Sequence, residues 1–422
     1  MTKKTDTPAI RFKGFSDTWE QRKFGEVFDC TVPNNTLSRA ELSYDEGTVL
    51  NVHYGDVLIK YGSVLDVQKD DIPRIPHRCR EDFNGALLQD GDVIIADTAE
   101  DETTGKACEI GNLQGSAIVS GLHTMVCRPR NRMALGYLGY YLNSNAYHYQ
   151  LLPLMQGIKV LSLSRSNIQK TSVSYPSAMK EQQLIASYFS QLDHLITLHQ
   201  RKYEKLHNIK KSMLEKMFPK NGSNVPEIRF KGFTEAWEQR KLGDCFAERV
   251  ESMPDGELIS VTINDGIKKF SELGRHDNSN DDKSKYKKVC IGDIAYNSMR
   301  MWQGASGYSP YEGIVSPAYT VLSPNSGINS KCLAYQFKLP EMIHTFQINS
   351  QGITSDNWNL KYPALSEIEI FVSRNEKEQA KIAEYFEWLD RLITLHQRKP
   401  DCYQFKLDNE RITKSTSLFS SS

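Results

Sequence analysis

The amino-acid sequence predicts an α+β fold in which two mixed α/β domains stand in tandem and each is followed by a long helix. Three observations predict it: a duplicated frame, a heptad pattern closing each copy, and short β-branched runs within the copies. The 422 residues also exceed what one hydrophobic core usually holds. The two helices are expected to pair as an antiparallel coiled coil with pseudo-two-fold symmetry.

Two segments of the chain occur twice and delimit the repeat. Pro8–Phe28 returns as Pro226–Phe246 with 14 of 21 positions identical. Glu181–Lys202 returns as Glu378–Lys399 with 16 of 22 identical. Because a duplicated sequence predicts a duplicated structure, each half of the chain is expected to begin and end in the same way.

Between these segments the two halves barely resemble each other. The runs "GDVIIA" at Gly91–Ala96 and "GDIAYN" at Gly292–Asn297 could open equivalent strands, and "QGI" occurs at both Gln156–Ile158 and Gln351–Ile353. A shared frame with divergent filling indicates two modules that perform one task on two different targets. The alternative is an old duplication in which the central segments of the two halves diverged without a functional consequence.

The second repeated segment predicts a central helix with a heptad seam, because mostly apolar residues recur alternately four and three positions apart without Pro or Gly. The seam positions are Ile185, Phe189, Leu192, Ile196, His199, Tyr203, Leu206, Lys210, Met213 and Met217. Pro219 and Gly222 end this helix. The second copy offers matching partners at Ile382, Phe386, Leu389, Ile393 and His396.

The predicted organisation follows from these boundaries. It comprises a first mixed domain at 1–178, a central helix at 179–219, a second mixed domain at 220–376, a distal helix at 377–400 and an atypical tail at 401–422. The distal helix is predicted to be the shorter one, because Pro400 removes a backbone donor and clashes with the preceding turn.

The composition is that of an ordinary soluble chain. Lys+Arg and Asp+Glu both number 52, giving zero net charge, whereas a nucleic-acid binder is more typically basic. No apolar run approaches the roughly 18 residues of a membrane span, and the N-terminal residues lack the apolar segment of a signal peptide. The simplest expectation is a cytoplasmic protein. The eight cysteines occur singly, which indicates neither a zinc site nor a disulfide framework.

The sequence lacks the motifs of common catalytic sites. It contains no P-loop, no H-E-x-x-H, no G-x-S-x-G and no dinucleotide-binding glycine pattern. The acidic loop Ala96–Lys106 offers oxygen ligands but lacks the spacing of a calcium loop, so a solvated loop is expected. We therefore expect that the chain is not an enzyme and carries no metal or cofactor of its own.

Taken together, the repeated motifs resemble the DNA-specificity subunit of type I restriction-modification systems. The resemblance rests on Ile10–Phe15 with Trp19, Ile228–Phe233 with Trp237, the two "EQ..IA.YF..LD.LI..HQRK" segments and Lys202–Phe218. It implies that each variable module is a target recognition domain reading one half of a split DNA sequence. It also implies that the paired helices set the distance between the two halves.

The same resemblance implies partners. A subunit of this family catalyses nothing, binds double-stranded DNA and docks two methylation subunits, which transfer a methyl group from S-adenosylmethionine to adenine. Restriction subunits that use ATP and Mg join the complex. One departure from the family pattern lies after Lys399, where the tail differs from the segment that follows Lys202, so equal docking of both methylation subunits is not implied.

Candidate DNA contacts are side chains able to pair with base edges, and basic residues able to hold the register on phosphates. In the first module they are Lys60, Tyr61, Lys106, His123, Arg128, Arg130, Lys159 and Arg165. In the second module they are Lys283, Lys285, Lys287, Lys288, Asn297, Arg300 and Gln303. For each of them the alternative is a solvated surface side chain.

A second interpretation is a pseudo-symmetric coiled-coil adaptor that bridges two protein partners without touching DNA. The zero net charge favours the adaptor. The run "KSKYKK" at Lys283–Lys288 and a central segment, 179–220, with eight basic and four acidic residues favour DNA. A third interpretation, a nuclease using the acidic loop, predicts metal-dependent cleavage by the isolated chain.

Overall fold

The computed structural model describes residues 8–220, 222–263, 266–274, 276–277, 279, 281–353, 357–408 and 419–421, with side chains up to residue 397. It forms two compact units, Met1–Leu198 with Cys402–Ser422, and His199–Asp401. The division falls inside the central helix, Met179–Met217. The reason is that Ala186 of this helix belongs to the core of the first unit, whereas Leu206 belongs to the core of the second.

The first unit is built on a five-stranded mixed sheet, whose strands in spatial order are Phe28–Asp29, Thr124–Pro129, Val93–Ala96, Ala107–Gly111 and Val64–Asp66. A three-stranded sheet contains Ala117–Ser120, Val49–Val52 and Arg74–Ile75. The two-stranded pairs are Ile10–Phe12 with Phe419–Ser421, Thr98–Ala99 with Leu161–Ser162, and Glu20–Lys23 with Ser172–Tyr175. The α-helices that precede the central helix are Phe24–Val27, Tyr54–Ile59, Tyr137–Asn143, Asn145–His148 and Arg165–Ile168.

The second unit is built on a four-stranded antiparallel sheet, whose strands in spatial order are Phe246–Glu248, Tyr319–Pro324, Ile294–Asn297 and Ser306–Tyr308. The two-stranded pairs are Glu238–Lys241 with Glu369–Val372, Ile259–Thr262 with Gly266–Lys269, and Lys287–Val289 with Gly313–Val315. The α-helices are Leu242–Cys245, Ser330–Gln336, Pro340–Ile348, Tyr362–Ser366 and the distal helix Glu376–Asp408.

The two "GD" runs open equivalent central strands, as the sequence predicts. Val93–Ala96 is apolar and buried throughout, which is the pattern of a strand covered on both faces. Ile294–Asn297 holds the corresponding place, paired on one side with Tyr319–Pro324. In both units the strand lies next to the last long strand before the helices, Thr124–Pro129 in the first unit.

The two repeated segments of each half meet in space. The opening segment contributes Glu20–Lys23 in the first unit, which pairs antiparallel with Ser172–Tyr175 just before the central helix. In the second unit Glu238–Lys241 pairs in the same way with Glu369–Val372, just before the distal helix. The sequence frame is therefore also a structural frame, and the divergent residues are inserted between its two edges.

A buried aspartate–arginine pair stabilises each sheet, but the arginine changes strands. In the first unit Asp92 accepts hydrogen bonds of 2.8 and 2.7 Å from Arg128, whose strand Thr124–Pro129 pairs with the strand that Asp92 precedes. In the second unit Asp293 accepts bonds of 2.7 and 3.1 Å from Arg249, which follows the strand Phe246–Glu248. The strand position equivalent to Arg128 is Ser323, as the cross-strand registers show. In the second unit the arginine thus comes from the end of the strand one place further from the aspartate, beyond Tyr319–Pro324.

The prediction that Pro400 ends the distal helix is wrong, because the helix continues to Asp408. A proline removes only its own backbone hydrogen bond and disturbs only the turn before it, so the bonds on either side can carry the helix onward. Among the described residues no helix is both long and apolar enough to cross a membrane.

Candidate nucleic-acid interface

Each module is fixed to its conserved helix by a buried carboxylate near the start of that helix. In the first unit Glu181 accepts hydrogen bonds of 2.6 Å from Nε and 2.8 Å from an Nη atom of Arg11. The indole of Trp19 donates to the same carboxylate at 3.3 Å. The guanidinium–carboxylate bond raises the pKa of Arg11, so the guanidinium stays ionised.

The second unit repeats this contact with the equivalent residues. Arg229 donates to both oxygens of Glu378 at 2.5 and 2.8 Å, and Trp237 donates to the same carboxylate at 3.2 Å. The hydroxyl of Ser373 adds a further bond of 2.6 Å. The repeated "IRFKGF" and "EQ" residues are therefore the two sides of one attachment.

The glutamine that follows binds main-chain atoms of the module. Gln182 accepts a 2.9 Å hydrogen bond from the Ala134 amide and donates to the Pro176 carbonyl oxygen at 2.8 Å. Gln379 accepts a 2.7 Å bond from the Asn329 amide and donates to two carbonyl oxygens of its own unit. Because main-chain atoms are present whatever the local side chains are, this contact tolerates divergent modules.

A tyrosine–aspartate bond fixes each helix about three turns further on. The hydroxyl of Tyr140 donates to Asp193, and that of Tyr335 donates to Asp390, both at 2.8 Å. Burial raises the pKa of Asp193, which indicates that the contact is shielded from water. Three identical contacts thus orient each module on its helix in the same way.

The second unit also contains the contact between the two conserved helices. The ring nitrogens Nδ1 of His199 and His396 lie 2.9 Å apart, and Lys210 donates to Asp390 at 2.5 Å. The rings of Phe218 and Phe386 lie 6.2 Å apart. Residue numbers rise along the central helix from His199 to Phe218, while those of their partners fall along the distal helix from His396 to Phe386. The two helices therefore run antiparallel.

The predicted seam residues divide by burial. The second copy is buried in the core of its unit together with the end of the central helix, at Leu206, Ile382, Phe386, Leu389, Ile393 and His396. Tyr203 is partly buried against the same core. The first copy is half-buried, at Ile185, Phe189, Leu192, Ile196 and His199. Phe189 stacks on Tyr140 at 5.5 Å, so this part of the seam also serves the first module.

Each module carries a protruding loop closed in the same way. We call Gln156–Ser162 the first paired loop and Gln351–Asn359 the second paired loop. The end residues of each loop exchange two backbone hydrogen bonds, of 3.0 and 2.8 Å in the first and 3.0 and 2.9 Å in the second. Both loops begin with the repeated "QGI", and their glycines have φ of 124° and 151°. Such values favour glycine.

Both paired loops lie at the carboxyl end of the central strand of their module. The first loop is followed by Leu163, whose amide donates to the Asp97 carbonyl oxygen at 2.8 Å. The second is followed by Leu360, whose amide donates to the Ser298 carbonyl oxygen at 2.9 Å. Asp97 and Ser298 each lie immediately after their central strand, so the loops are structurally equivalent.

The sequence model described as "Type I restriction modification DNA specificity domain" matches residues 16–208 and again residues 234–402. The chain belongs to this family. The two matches coincide with the two frames described above, so the specificity family accounts for both halves of the chain.

Relatives agree with this assignment. A protein described as a type I restriction enzyme MjaX specificity subunit, from Methanocaldococcus jannaschii, is 24% identical over 246 residues, which cover 54% of this chain and 52% of that protein. The matched region thus spans about half the length of that relative.

Solved structures of the specificity family resemble the fold. The S subunit of a type I restriction-modification system from M. genitalium matches with a TM-score of 0.58 and 12% identity, over 95% of this chain and 97% of that one. The HsdS subunit from Thermoanaerobacter tengcongensis matches with a TM-score of 0.42 and 15% identity, over 93% and 94%. The M. genitalium match confirms the predicted fold class, tandem mixed domains each followed by a long helix.

Several predicted DNA contacts of this specificity-family chain are engaged within the protein. Tyr61 is buried, and burial raises the pKa of its hydroxyl. Lys106 donates to the Leu58 carbonyl oxygen at 2.8 Å, and burial lowers its pKa. The remaining engaged cations form ion pairs, Lys60 with Asp71, Arg128 with Asp92, Lys287 with Glu248 and Lys288 with Glu251. These contacts favour structural roles for this group.

Other predicted contacts face solvent. The exposed side chains are Arg130, Lys159, Arg165, Lys285 and Arg300, with Lys283 half-buried. His123 is exposed, adopts φ of 53° and lies 3.3 Å from Asp97 beside the first paired loop. Asn297 accepts a bond from the Met299 amide, and the Gln303 amide oxygen is buried without a partner among the described residues. The structure gathers Lys159, Arg165 and His123 near one loop and Arg300 near the other.

The acidic loop does not gather ligands. Asp97 bonds to Thr98, and Asp101 bonds to Thr103. Within the part of the chain that the structure describes, no group of three or more His, Cys, Asp or Glu side chains could hold a metal ion.

Sequence reasoning missed two prominent residues, Ile158 and Ile353. They are 100% and 98% exposed, the highest values among the large apolar side chains described. The repeated "QGI" was the available signal, but a three-residue echo does not reveal that both isoleucines point into solvent.

Proposed function

We propose that this chain is the DNA-recognition and scaffold subunit of a type I restriction-modification complex and catalyses no reaction itself. Each module reads one half of a bipartite, asymmetric DNA sequence. The observation that carries the proposal is the attachment of two unlike modules to one repeated frame through the same three contacts. Two unlike readers on a common frame suit an asymmetric split site, as a symmetric dimer suits a palindrome.

The partners follow from the family. Two methylation subunits, which use S-adenosylmethionine to methylate adenine, dock on the chain, and restriction subunits using ATP and Mg complete a cytoplasmic complex. The repeated helices support this docking role, because the equivalent residues Leu198 and Leu395 are both large, apolar and exposed. Exposed apolar side chains at equivalent places are the expected mark of a shared protein contact.

The test is to express the chain with its methylation subunit in a host that lacks the system, and to map methylated adenines across the genome. A split sequence should be found methylated. Replacing residues 1–178 by the first module of another family member should change one half of that sequence and leave the other half unchanged. A replacement that leaves the recognised sequence intact would refute the assignment of one half to each module.

The adaptor alternative makes a different prediction for DNA binding. Phosphate contacts release counterions, so the affinity of the complex for its duplex should fall by about 10³ or more between 50 and 200 mM salt if six or more phosphates are contacted. A gel shift at several salt concentrations measures this slope. An adaptor that never touches DNA would give no shift at any salt concentration.

A further inference from the structure

The paired loops share a feature that their surroundings do not explain. Single exposed apolar residues are normal on protein surfaces. Here, however, the same residue type occupies the same place in both loops, in modules that otherwise barely match, and Ile158 and Ile353 have almost no contact with their own module. A chance surface residue would have no reason to be repeated in this way, so an external contact is indicated.

The described ends of each loop are closed tightly. A Cβ atom on Gly157 would lie 1.9 Å from the Val160 carbonyl oxygen, and one on Gly352 would lie 2.6 Å from the Asn357 carbonyl oxygen. Each glycine therefore permits a tight closure that another residue would block. In the second module the ring of Trp358, within the loop, lies 5.2 Å from the ring of Trp302. A supported loop can present an apolar tip at a fixed position.

Exposed cations flank both tips. Lys159 lies within the first paired loop, and Arg165 begins the short helix that follows it. Arg300 lies two residues after Ser298, whose carbonyl oxygen accepts the Leu360 amide, and Lys361 follows Leu360 directly. No ion pair of these four cations occurs among the described residues, whereas Lys60, Arg128, Lys287 and Lys288 each form one. This charge favours a polyanion as the ligand.

The first module also places acidic residues near its loop. The hydroxyl of Thr104 donates to the Leu161 carbonyl oxygen at 3.4 Å, which brings the acidic turn of Glu100, Asp101 and Glu102 close. Those carboxylates weaken any purely electrostatic attraction to phosphates at this tip. The apolar side chain must then contribute a large part of the contact.

We propose that Ile158 and Ile353 insert between base pairs as apolar wedges, one in each half of the recognised DNA sequence. The inference rests on the proposed function. Proteins that deform DNA commonly place Ile, Leu, Phe or Met between base steps and partly unstack them. Because the two modules read different sequences yet carry the same residue at the tip, the contact deforms the duplex and does not select a base.

The experiment uses the full chain in complex with its methylation subunit and a duplex carrying the mapped split sequence. The fluorescent base 2-aminopurine is placed in turn at positions of each half-site, away from the methylated adenine, whose own displacement would also raise the signal. Binding of the unaltered complex should raise fluorescence at one step in each half-site. Ile158→Ser should abolish the rise in one half only, and Ile353→Ser in the other only.

Each substitution should also weaken DNA binding about tenfold, the effect of losing most of one buried aliphatic side chain. The recognised sequence should remain unchanged in the methylation map. Ile291→Ser is the matched control, because Ile291 is 62% exposed in the turn that precedes the central strand, at the strand's other end. This control should bind and unstack the duplex like the unaltered complex.

The outcomes separate the inference from the proposed function. Unaltered fluorescence and affinity in both loop variants, with a complex that still binds its split sequence, would overturn the wedges and leave the DNA-recognition function intact. A changed sequence preference would also overturn them, since it would indicate base selection. Loss of the methylation subunit from the purified variants would assign the loops to a protein contact. A complex that binds no DNA at all would refute both proposals.

Discussion

At the scale of single residues, the residues that are identical in the two helices serve two different roles. The seam positions face the other conserved helix or the module, whereas Glu181, Gln182 and Asp193 and their second copies hold the modules. This explains why polar residues within an amphipathic helix are as well repeated as the apolar ones. The identity of the second segment at 16 of 22 positions reflects both tasks at once.

The buried carboxylate of the second unit is expected to be essential for stability. Glu378→Ala leaves the Arg229 guanidinium buried without its partner, which typically costs about 3–5 kcal/mol. The free energy of unfolding of the full chain, measured in urea, should fall accordingly. Glu384→Ala is the control, since Glu384 lies on the same helix but is exposed. Equal losses in the two variants would contradict the assigned role of Glu378.

A buried carboxyl in the first module predicts a pH dependence. Glu109 accepts a 2.9 Å bond from the Gly139 amide, and burial raises its pKa from 4.5 to about 7. A carboxyl with a raised folded-state pKa stabilises the fold fully below its ordinary pKa, and this contribution is lost as pH rises through the folded value. The first unit should therefore lose up to about 3 kcal/mol of stability between pH 4.5 and pH 8.

Glu109→Gln keeps the acceptor for the Gly139 amide and cannot ionise. We expect the variant to be more stable than the unaltered chain at pH 8 and to show a flatter dependence of unfolding free energy on pH. Urea titrations at pH 5 and pH 8 measure the difference. An unchanged slope would assign the pH dependence to other groups.

At the scale of elements, the sequence predicts types of structure better than it predicts contacts. The heptad spacing predicts the central helix, and the "GD" runs predict two equivalent strands. The sequence does not predict the order of the strands in the sheets, because paired strands such as Glu20–Lys23 and Ser172–Tyr175 lie far apart in the chain. Pro400 predicts a helix end by a local rule, whereas the surrounding backbone hydrogen bonds carry the helix to Asp408.

The candidate DNA contacts are harder to predict than the helices and strands, because the ion-pair partners of these side chains also lie far away in the chain. A lysine such as Lys288 looks available in the sequence, yet Glu251, 37 positions earlier, pairs with it at 3.0 Å. Likewise the carboxylate that binds Arg128 is buried on a neighbouring strand. Composition and spacing carry no record of such partners, so an exposed cation and a paired one have the same appearance in the sequence.

The first paired loop should depend on its glycine. Gly157→Ala forces a Cβ against the Val160 carbonyl oxygen at a φ of 124°, so the closed loop cannot form without strain. Affinity for the split DNA sequence should fall about tenfold, comparable to one mismatched base pair. The thermal midpoint should change little, because the loop is exposed.

The control for this change is Gly115→Ala. Gly115 also has a positive φ, of 86°, but a Cβ there would meet no atom within 4 Å. It reports the strain of the backbone conformation without a collision. If Gly115→Ala weakened DNA binding as much as Gly157→Ala, the closure of the loop would not be the cause. Affinities come from gel shifts with the methylation complex.

At the scale of the whole molecule, the chain consists of two copies of one repeated frame, and each copy encloses a different module. Its zero net charge was an argument against DNA binding. The structure weakens that argument, because many cations and anions neutralise each other in ion pairs within the units, as Lys287 and Glu248 do. What matters for a polyanionic ligand is which cations remain unpaired, and this is a local property of the surface.

Inserting seven residues in the central helix tests its role as a spacer. Seven residues keep the heptad seam in phase and lengthen the helix by about 10 Å at 1.5 Å per residue. The methylation map should then show a longer spacer, by about three base pairs, between two unchanged half-sites. An insertion of four residues shifts the seam and should abolish methylation instead. A seven-residue insertion that altered a half-site would argue against the spacer role.

The change of strand in the buried aspartate–arginine pair has a genetic consequence. A crossover between two such modules inside the sheet could combine Thr31, the first-unit counterpart of Arg249, with the strand carrying Ser323, and the buried aspartate would then lose its arginine. The reciprocal product would crowd Arg249 and Arg128 around one carboxylate. Recombination that yields working proteins should therefore have its breakpoints in the repeated frame, where the two halves are interchangeable, and new specificities should arise by exchange of entire modules.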